Sequence, residues 1–130
     1  MTAYTYGVYD LFHIGHVNLF KRIKQQQCSK LIVGVHNDEQ VMTYKNKPII
    51  NYYDRLEIIK SCRYVDEIYE NADLVTTDDI LIKLKADFVF AGNENPEYLE
   101  KYYQVSSGKL ILLDRTENIS TSKIKNLLKF

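Results

Sequence analysis

Residues 6–20, YGVYDLFHIGHVNLF, decide the fold of this chain. The segment Ala3–Val8 is rich in residues that favour strands, and the pattern breaks at Asp10. A helical pattern then follows, with apolar positions at Val17, Leu19, Phe20 and Ile23. The stretch therefore predicts a strand, a tight turn and a helix, with His13 and His16 in the turn.

The chemistry of this turn suits an anionic ligand. Gly15 removes a side chain where a phosphate must come close. A helix N-terminus presents unpaired N–H groups and the positive end of the helix dipole. Two imidazoles beside such an end suit a phosphate whose charge grows during a reaction. On their spacing alone, His13 and His16 would be interpreted first as ordinary polar turn residues, so the surrounding sequence has to decide.

Composition predicts one soluble domain over residues 1–130. Apolar residues make up 45% of the chain and charged residues 26%, which is ordinary for a globular protein. Lys plus Arg and Asp plus Glu both number 17, so bulk charge favours neither nucleic acid nor an anionic membrane. We find no signal-peptide pattern, and Cys28 and Cys62 lack metal-ligand spacing. We therefore expect a cytoplasmic protein without a protein-bound metal.

Short apolar strands alternate with helical segments about five times. The predicted strands are Ala3–Val8, Lys30–His36, Asp66–Tyr69, Asp87–Ala91 and Lys109–Leu113. The later helices are predicted at Asp38–Tyr44, Tyr53–Arg63, from a cap at Thr76 or Thr77 to Lys85, at Pro96–Tyr103 and at Ile119–Phe130. This alternation indicates an α/β fold with a parallel sheet covered by helices on both faces. Ligands bind beyond the C-terminal strand ends of such sheets, so the turns at 9–16, 92–95 and 114–122 should converge.

Two motifs resemble those of a known family. GVYDLFHIGH at residues 7–16 resembles the signature of nucleotidyltransferases with an HxGH motif, in particular the cytidylyltransferases that make CDP-choline, CDP-ethanolamine and CDP-glycerol. RTENIST at residues 115–121 is similar to the RTEGIST motif of that family, with Asn118 in place of glycine. Asparagine also tolerates left-handed backbone. The resemblance extends from Tyr6 to about Leu127 and implies a Rossmann-like five-stranded sheet of order 3-2-1-4-5.

The resemblance implies a reaction in which CTP transfers CMP to a phosphate oxygen of a small acceptor and pyrophosphate leaves. The implied catalytic residues are His13, His16, Lys45 and Arg115. Those implied to bind the nucleotide are Val8, Tyr9, Asp10, Ile14, Gly15, Gly92, Glu94, Arg115, Thr116, Ile119, Ser120 and Thr121. Asp10 is expected to order the turn, and Mg²⁺ to arrive on the triphosphate. Lys47 competes with Lys45, because the loop before Arg55 varies in length.

The acceptor stays open at this stage. Lys45 and Asn93 are implied to contact it. Asn93 and the absence of tryptophan in the segment Asn71–Leu74 count against choline, because the choline enzymes use a carboxylate and a tryptophan there. A cage for a cationic group could come from Tyr98, Tyr102 and Tyr103, although their spacing fits a helix face that packs on the sheet. Glycerol-3-phosphate, ethanolamine phosphate and another phosphorylated metabolite, such as a phosphorylated amino acid amide, are the candidates.

Two other functions share this sequence pattern. One is an adenylyltransferase that uses ATP at the same HxGH site, and the other is a nucleotide-binding module without turnover. The segment RYVDE, with Arg63, Tyr64 and Asp66, is implied to lie near the contact of a homodimer, although a charged helix end explains it equally well. The chain is too short for the amphipathic membrane-binding tail of animal choline enzymes, so no membrane partner is expected.

Overall fold

The computed structural model describes residues 1–114 and 119–128. The strands are β1 (Thr2–Gly7), β2 (Lys30–Val35), β3 (Glu67–Glu70), β4 (Thr76–Thr77), β5 (Phe88–Gly92), β6 (Tyr103–Gln104) and β7 (Leu110–Leu113). The helices are α1 (Ile14–Lys24), α2 (Asp38–Met42), α3 (Tyr52–Lys60), α4 (Asp78–Leu84), α5 (Pro96–Tyr102) and α6 (Thr121–Leu128).

Five strands form a parallel sheet of order β3-β2-β1-β5-β7. Numbered among themselves, these strands have the order 3-2-1-4-5, so the predicted Rossmann-like topology is confirmed. The chain passes from β1 to β2 on one side and reaches β5 on the other. The C-terminal ends of β1 and β5 therefore flank the point where strand order reverses, which is where such sheets bind ligands.

The two faces of the sheet carry separate apolar cores, because successive residues of a strand point to opposite faces. On one face Ala3 packs with Phe20 of α1 and Leu56 of α3. On the other face Tyr4 packs with Leu81 of α4 and Val89. Residues 31–35 of β2 are all buried, as the uninterrupted apolar pattern predicts for a strand covered on both faces.

The structure corrects several predicted boundaries by one to three residues. Val8 lies outside β1, because the chain turns at once into a left-handed conformation at Tyr9, with φ 57°. The helix predicted to end at Arg63 ends at Lys60, and the strand predicted at 66–69 lies at 67–70. The last two residues of the predicted C-terminal helix, 129–130, lie outside the described residues.

A second, two-stranded parallel sheet was not predicted. It pairs Thr76 of β4 with Tyr103 of β6, and this pairing ends α5 at Tyr102, one residue before the predicted end. Strands of two residues are too short to show a hydrophobic period, so the sequence carries no signal for them. Thr77, one of the two predicted caps, accepts a hydrogen bond from the backbone N–H of Ile80 and caps α4. In residues 1–114 and 119–128 we find no helix with the length and apolar composition needed to cross a bilayer.

Candidate nucleotide-binding site

A cavity of about 570 Å³ lies at the C-terminal ends of β1, β2 and β5. Its walls come from the turn after β1, the loop after α2, the end of β5, helix α5 and the start of α6. The predicted site residues that line it are Val8, Tyr9, Asp10, His13, Gly15, His16, Lys45, Gly92, Glu94, Ile119, Ser120 and Thr121. The three turns that were expected to converge, at 9–16, 92–95 and 114–122, each contribute to this lining.

Other predicted site residues lie elsewhere. The side chain of Ile14 is 56% exposed on the outside of α1, and it is not part of the cavity wall. Asn93 and Lys47 are also exposed and outside the wall, so of the two candidate lysines the structure places Lys45 in the cavity. Arg115 and Thr116 lie outside the described residues.

The three predicted interface residues lie away from the cavity. Arg63 donates to the hydroxyl of Tyr64 at 2.8 Å. Asp66 accepts from the Lys24 ammonium and from the N–H of Leu31, both at 2.7 Å, at the start of β2. These contacts belong to the end of the sheet opposite the cavity, and the homodimer stays a prediction.

His13 and His16 close the start of α1 by capping it reciprocally. Nδ1 of His13 accepts from the N–H of Gly15 at 3.0 Å, and Nδ1 of His16 accepts from the N–H of His13 at 3.2 Å. A ring nitrogen that accepts an N–H carries no proton, so both neutral imidazoles hold their proton on Nε2. Burial lowers the pKa of His13, which favours this neutral form. An Nε2–H group is a hydrogen-bond donor, which suits an anionic ligand.

This arrangement corrects part of the expectation for the turn. Backbone N–H groups at the helix start were expected to face a phosphate, but the capping contacts use those of His13 and Gly15. A Cβ at Gly15 would lie 2.7 Å from Cε1 of His13, so the missing side chain makes room for that ring. The imidazoles, rather than the amides at these two positions, are thus the donors that the turn presents.

Aromatic contacts hold the two imidazoles in place. The rings of His13 and His16 stack with centroids 3.9 Å apart and planes 29° apart. Phe12 stacks on the other side of His16 at 5.3 Å, and Tyr9 meets His16 edge-on at 5.3 Å. Side chains restrained in this way lose little further freedom when they bind a ligand.

Asp10 joins the turn to two other walls of the cavity. Its carboxylate accepts from the N–H groups of Ile49 and Ile50 at 2.9 and 3.0 Å, and its carbonyl accepts from the Thr121 hydroxyl at 2.8 Å. The Lys125 ammonium lies 3.5 Å from Oδ2. Burial raises the pKa of Asp10, but the two N–H donors and Lys125 outweigh it, so the net shift is downward. Asp10 is thus an ionised anchor, in agreement with its predicted role in ordering the turn.

Arg55 is a structural centre that sequence reasoning did not assign. Its side chain is fully buried on α3 and donates to the carbonyls of Val8 at 2.6 Å, His36 at 2.9 Å and Ile50 at 3.0 Å. It also pairs with the Asp38 carboxylate at 2.7 Å. One guanidinium therefore fixes the ends of β1 and β2 against the loop that carries Lys45. An arginine in an apolar helical face was the available signal, because such a charge is buried only when it is paired.

Two lysines, Lys45 and Lys125, line the cavity. Desolvation lowers the pKa of Lys45, nearby Lys125 lowers it further, and Asp10 opposes both. Lys125 was missed by the sequence interpretation, although it follows Thr121 by four residues and so lies on the same face of α6. The Lys45 ammonium lies 5.4 Å from the centroid of the Tyr44 ring, and the Lys125 ammonium lies beside the Asp10 carboxylate.

Further tyrosines besides Tyr9 line the cavity and form its tyrosine wall. Their positions are Tyr6, Tyr44, Tyr98, Tyr102 and Tyr103. The Tyr98 and Tyr102 ring centroids lie 4.7 Å apart, and the Tyr44 ring lies 5.9 Å from that of Tyr102. The Tyr6 hydroxyl donates to the carbonyls of Leu74 and Tyr102. Tyr98, Tyr102 and Tyr103 thus belong to the cavity lining, and their role as a cage for a cationic group stays a prediction.

No group of three or more His, Cys, Asp or Glu side chains within residues 1–114 and 119–128 is arranged to hold a metal ion. Two carboxylates, Glu94 and Asp114, line the cavity besides Asp10.

A parallel sheet of this strand order, whose strand ends open into a cavity of imidazole, ammonium and hydroxyl groups, is a Rossmann-like α/β domain. Residues 4–127 match the family described as cytidylyltransferase-like, and the chain belongs to that family. The family expected from the two motifs is therefore confirmed.

Proteins of similar sequence are named as cytidylyltransferases. The chain is 31% identical over 126 residues to ethanolamine-phosphate cytidylyltransferase of Dictyostelium discoideum, covering 94% of this chain and 35% of that protein. It is 35% identical to choline-phosphate cytidylyltransferase 2 of Arabidopsis thaliana and 34% identical to choline-phosphate cytidylyltransferase A of Homo sapiens, covering 94% of this chain and 42% and 35% of those proteins. The chain thus spans 35–42% of the length of these relatives.

The fold also has a counterpart of known structure. The lipopolysaccharide core biosynthesis protein from Thermoplasma volcanium superposes with a TM-score of 0.70 over 90% of this chain and 98% of that protein. The sequences are 19% identical, so this likeness concerns the fold.

Proposed function

We propose that this protein is a cytidylyltransferase that transfers CMP from CTP to a small phosphorylated acceptor, giving a CDP-compound and pyrophosphate. Family membership and the names of the relatives support the reaction class. The structural observation that carries the proposal is the pair of imidazoles whose Nδ1 atoms are both occupied by backbone N–H groups. Each ring carries its proton on Nε2, at a helix start that borders a cavity.

The reaction needs alignment and charge stabilisation more than covalent help from the enzyme. A phosphate oxygen of the acceptor attacks the α-phosphorus of CTP while the bond to the β-phosphate oxygen breaks. Negative charge builds on the oxygens that His13 and His16 would contact through Nε2–H. One well-aimed donor contributes about 3 kcal/mol of transition-state stabilisation in such sites.

The start of α6 is proposed to hold the outer phosphates. Ser120 accepts from the N–H of Lys123 at 3.0 Å, which leaves its own O–H to donate. The Thr121 hydroxyl is already used on the Asp10 carbonyl. Its backbone N–H is the group that Thr121 would offer to the nucleotide. Arg115 is expected to add a bidentate contact.

Lys45 is proposed to bridge the acceptor phosphate and the α-phosphate, because it lines the cavity and an ammonium group attracts phosphate oxygens. Mg²⁺ would enter with CTP as part of the substrate, held mainly by the phosphate oxygens.

The tyrosine wall supports an acceptor with a cationic headgroup. Aromatic faces attract cations, and Tyr44, Tyr98 and Tyr102 lie within reach of one another. Two of the relatives described above are named for choline phosphate and one for ethanolamine phosphate. We place such amino-alcohol phosphates ahead of glycerol-3-phosphate and other phosphorylated metabolites.

We further propose a cytoplasmic homodimer. The free thiols of Cys28 and Cys62 support a reducing compartment. The family resemblance of the segment with Arg63, Tyr64 and Asp66 supports the dimer. Measurement of molar mass in solution, with Arg63→Glu as the disrupting variant, tests the dimer.

Pyrophosphate release tests the reaction. The wild-type protein is incubated with Mg²⁺, with CTP or ATP, and with each of several phosphorylated alcohols. Turnover with CTP and one acceptor supports the proposal, turnover with ATP alone indicates an adenylyltransferase, and nucleotide binding without turnover indicates a binding module. His16→Ala is expected to keep its circular dichroism spectrum and lose almost all turnover; full activity in that variant would remove the mechanism.

A further inference from the structure

His36 follows β2 directly and is a buried titratable group that the proposed reaction does not use. The residue is part of the cavity lining, although only 4% of it is exposed. Nδ1 lies 2.9 Å from the carbonyl oxygen of Ala72. A carbonyl only accepts, so Nδ1 must donate and carries the ring proton.

The remaining nitrogen of this ring therefore has the opposite character to that of the other two histidines in the cavity. Nε2 of neutral His36 bears a lone pair and accepts, whereas Nε2 of His13 and of His16 carries a proton. Burial lowers the pKa of His36, and the positive charges of Lys45 and Arg55 lower it further. The hydrogen bond to the Ala72 carbonyl raises the pKa, but the net shift is downward. The ring is thus kept neutral, with a lone pair on Nε2.

The ring of His36 lies against the tyrosine wall of the cavity. The Tyr6 ring meets the His36 ring edge-on at a centroid distance of 5.2 Å, and Tyr103 contacts the same Tyr6 ring at 5.2 Å. The hydroxyl of Tyr6 is committed to the carbonyls of Leu74 and Tyr102. A headgroup among the tyrosines would therefore meet ring faces, phenol hydroxyls and the His36 imidazole, with the Lys45 ammonium 5.4 Å from the Tyr44 ring centroid.

We propose that Nε2 of His36 accepts a hydrogen bond from the acceptor's headgroup and so selects headgroups with an N–H or O–H donor over a quaternary ammonium. This inference rests on the proposed function, because it concerns the acceptor of that reaction. A primary ammonium can satisfy the tyrosine faces and the imidazole at once. A trimethylammonium group contacts the tyrosine rings but has no N–H to donate. Nε2 of His36 then stays without a donor in the complex, which lowers the affinity.

A methylation series gives the sharpest test. The acceptors are phosphoethanolamine, its N-methyl and N,N-dimethyl derivatives, phosphocholine and glycerol-3-phosphate. The dimethyl compound still has one N–H, and phosphocholine has none. We expect kcat/KM of the wild type to fall mildly up to two methyl groups and by about 10- to 100-fold at the third. Glycerol-3-phosphate distinguishes the two sources of a donor, because it offers O–H groups without a cation.

Two variants separate the acceptor role from a structural one. In His36→Asn the side-chain amide can replace Nδ1–H toward Ala72 while Nε2 is lost. In His36→Gln the amide reaches the place of Nε2 and the contact with Ala72 is lost. We expect the fall in kcat/KM between the dimethyl and trimethyl compounds to disappear in His36→Asn. In His36→Gln part of that fall should remain. Thermal unfolding of both variants reports whether the fold is retained, and His36→Gln decides alone if His36→Asn does not fold.

Different results would overturn the role of His36 and the proposed function. An unchanged fall between these two compounds in His36→Asn means that size, not hydrogen bonding, excludes the third methyl group, and the proposal is wrong. Equal wild-type turnover of phosphoethanolamine and phosphocholine also overturns it. If no acceptor gives pyrophosphate, the proposed function fails. Calorimetric binding of the same five compounds in the presence of CTP then decides the role of His36, with the same expected order and the same variants.

Discussion

Asp10 and Arg55 bind opposite polar groups of one residue, Ile50. Oδ1 of Asp10 accepts from the Ile50 N–H at 3.0 Å, and Nε of Arg55 donates to the Ile50 carbonyl at 3.0 Å. Both charged side chains are almost fully buried. The loop that carries Lys45 is therefore fixed from the turn after β1 on one side and from α3 on the other, so the geometry of the site depends on residues that need not touch a substrate.

Replacement of Arg55 tests the cost of losing this anchor. Arg55→Met keeps the volume of the side chain but leaves three carbonyls and the Asp38 carboxylate without their donor. We expect the free energy of unfolding to fall by about 3–5 kcal/mol, as for a broken buried ion pair. Chemical denaturation measures it. Arg55→Lys keeps the charge but not the planar guanidinium, so its free energy of unfolding should lie between those of the wild type and Arg55→Met. A loss below about 1 kcal/mol in Arg55→Met would contradict this account.

The lowered pKa of Asp10 predicts a loss of stability in acid. The unfolded chain, in which this carboxyl has its ordinary pKa near 3.8, takes up a proton before the folded chain does. The contribution of Asp10 is therefore complete above that value and disappears as pH falls through it toward the folded pKa. Asp10→Asn should be about 1–3 kcal/mol less stable at pH 7 and should lose less on acidification. Denaturation at pH 3 to 7 checks this, with Asp79→Asn, an exposed carboxylate, as control. Parallel curves for wild type and Asp10→Asn would refute it.

His13 caps the start of α1 and is proposed to donate from Nε2 to a phosphate, and a substitution can separate these two roles. Asparagine is among the best N-cap residues, so His13→Asn should keep the free energy of unfolding within about 0.5 kcal/mol of wild type. It lacks the Nε2–H donor, and kcat/KM for CTP should fall by about 10²- to 10³-fold. His13→Ala should lose the same activity and a further ~1 kcal/mol of stability. Denaturation and pyrophosphate release measure the two effects. Retained turnover in His13→Asn would show that the imidazole serves only as a cap.

The parts of the fold that follow from local pattern were predictable. Uninterrupted apolar runs such as residues 31–35 indicate strands covered on both faces, and alternation with helices leads to the parallel sheet. The meeting of residues 9–16 with 119–121 also follows, because parallel strands end at one edge. The hydrogen bond from Thr121 to the Asp10 carbonyl is a detailed instance of that meeting.

Features that depend on long-range partners were not predictable. The burial of Arg55 is stable only because backbone carbonyls from three segments surround it, and no local pattern reveals them. The protonation of His36 depends in the same way on Ala72, 36 residues later in the chain. The two-residue strands β4 and β6 stabilise each other and have no period of their own. Each of these features is decided by a contact between distant residues.

Lys45 and Lys47 provide a matched pair for the last prediction. Both lie in the loop before Ile50, and only Lys45 lines the cavity. If Lys45 bridges two phosphates in the transition state, Lys45→Met should lower kcat/KM by about 10²-fold or more, the loss expected for a charge-assisted contact in a partly desolvated site. Lys47→Met should stay within about threefold, as expected for a solvated surface charge. Since Asp10 and Arg55 hold Ile50 independently of either lysine, both variants should unfold at the wild-type temperature. Initial rates at several CTP and acceptor concentrations decide the matter, and equal losses in the two variants would show that the loop acts only through its overall charge.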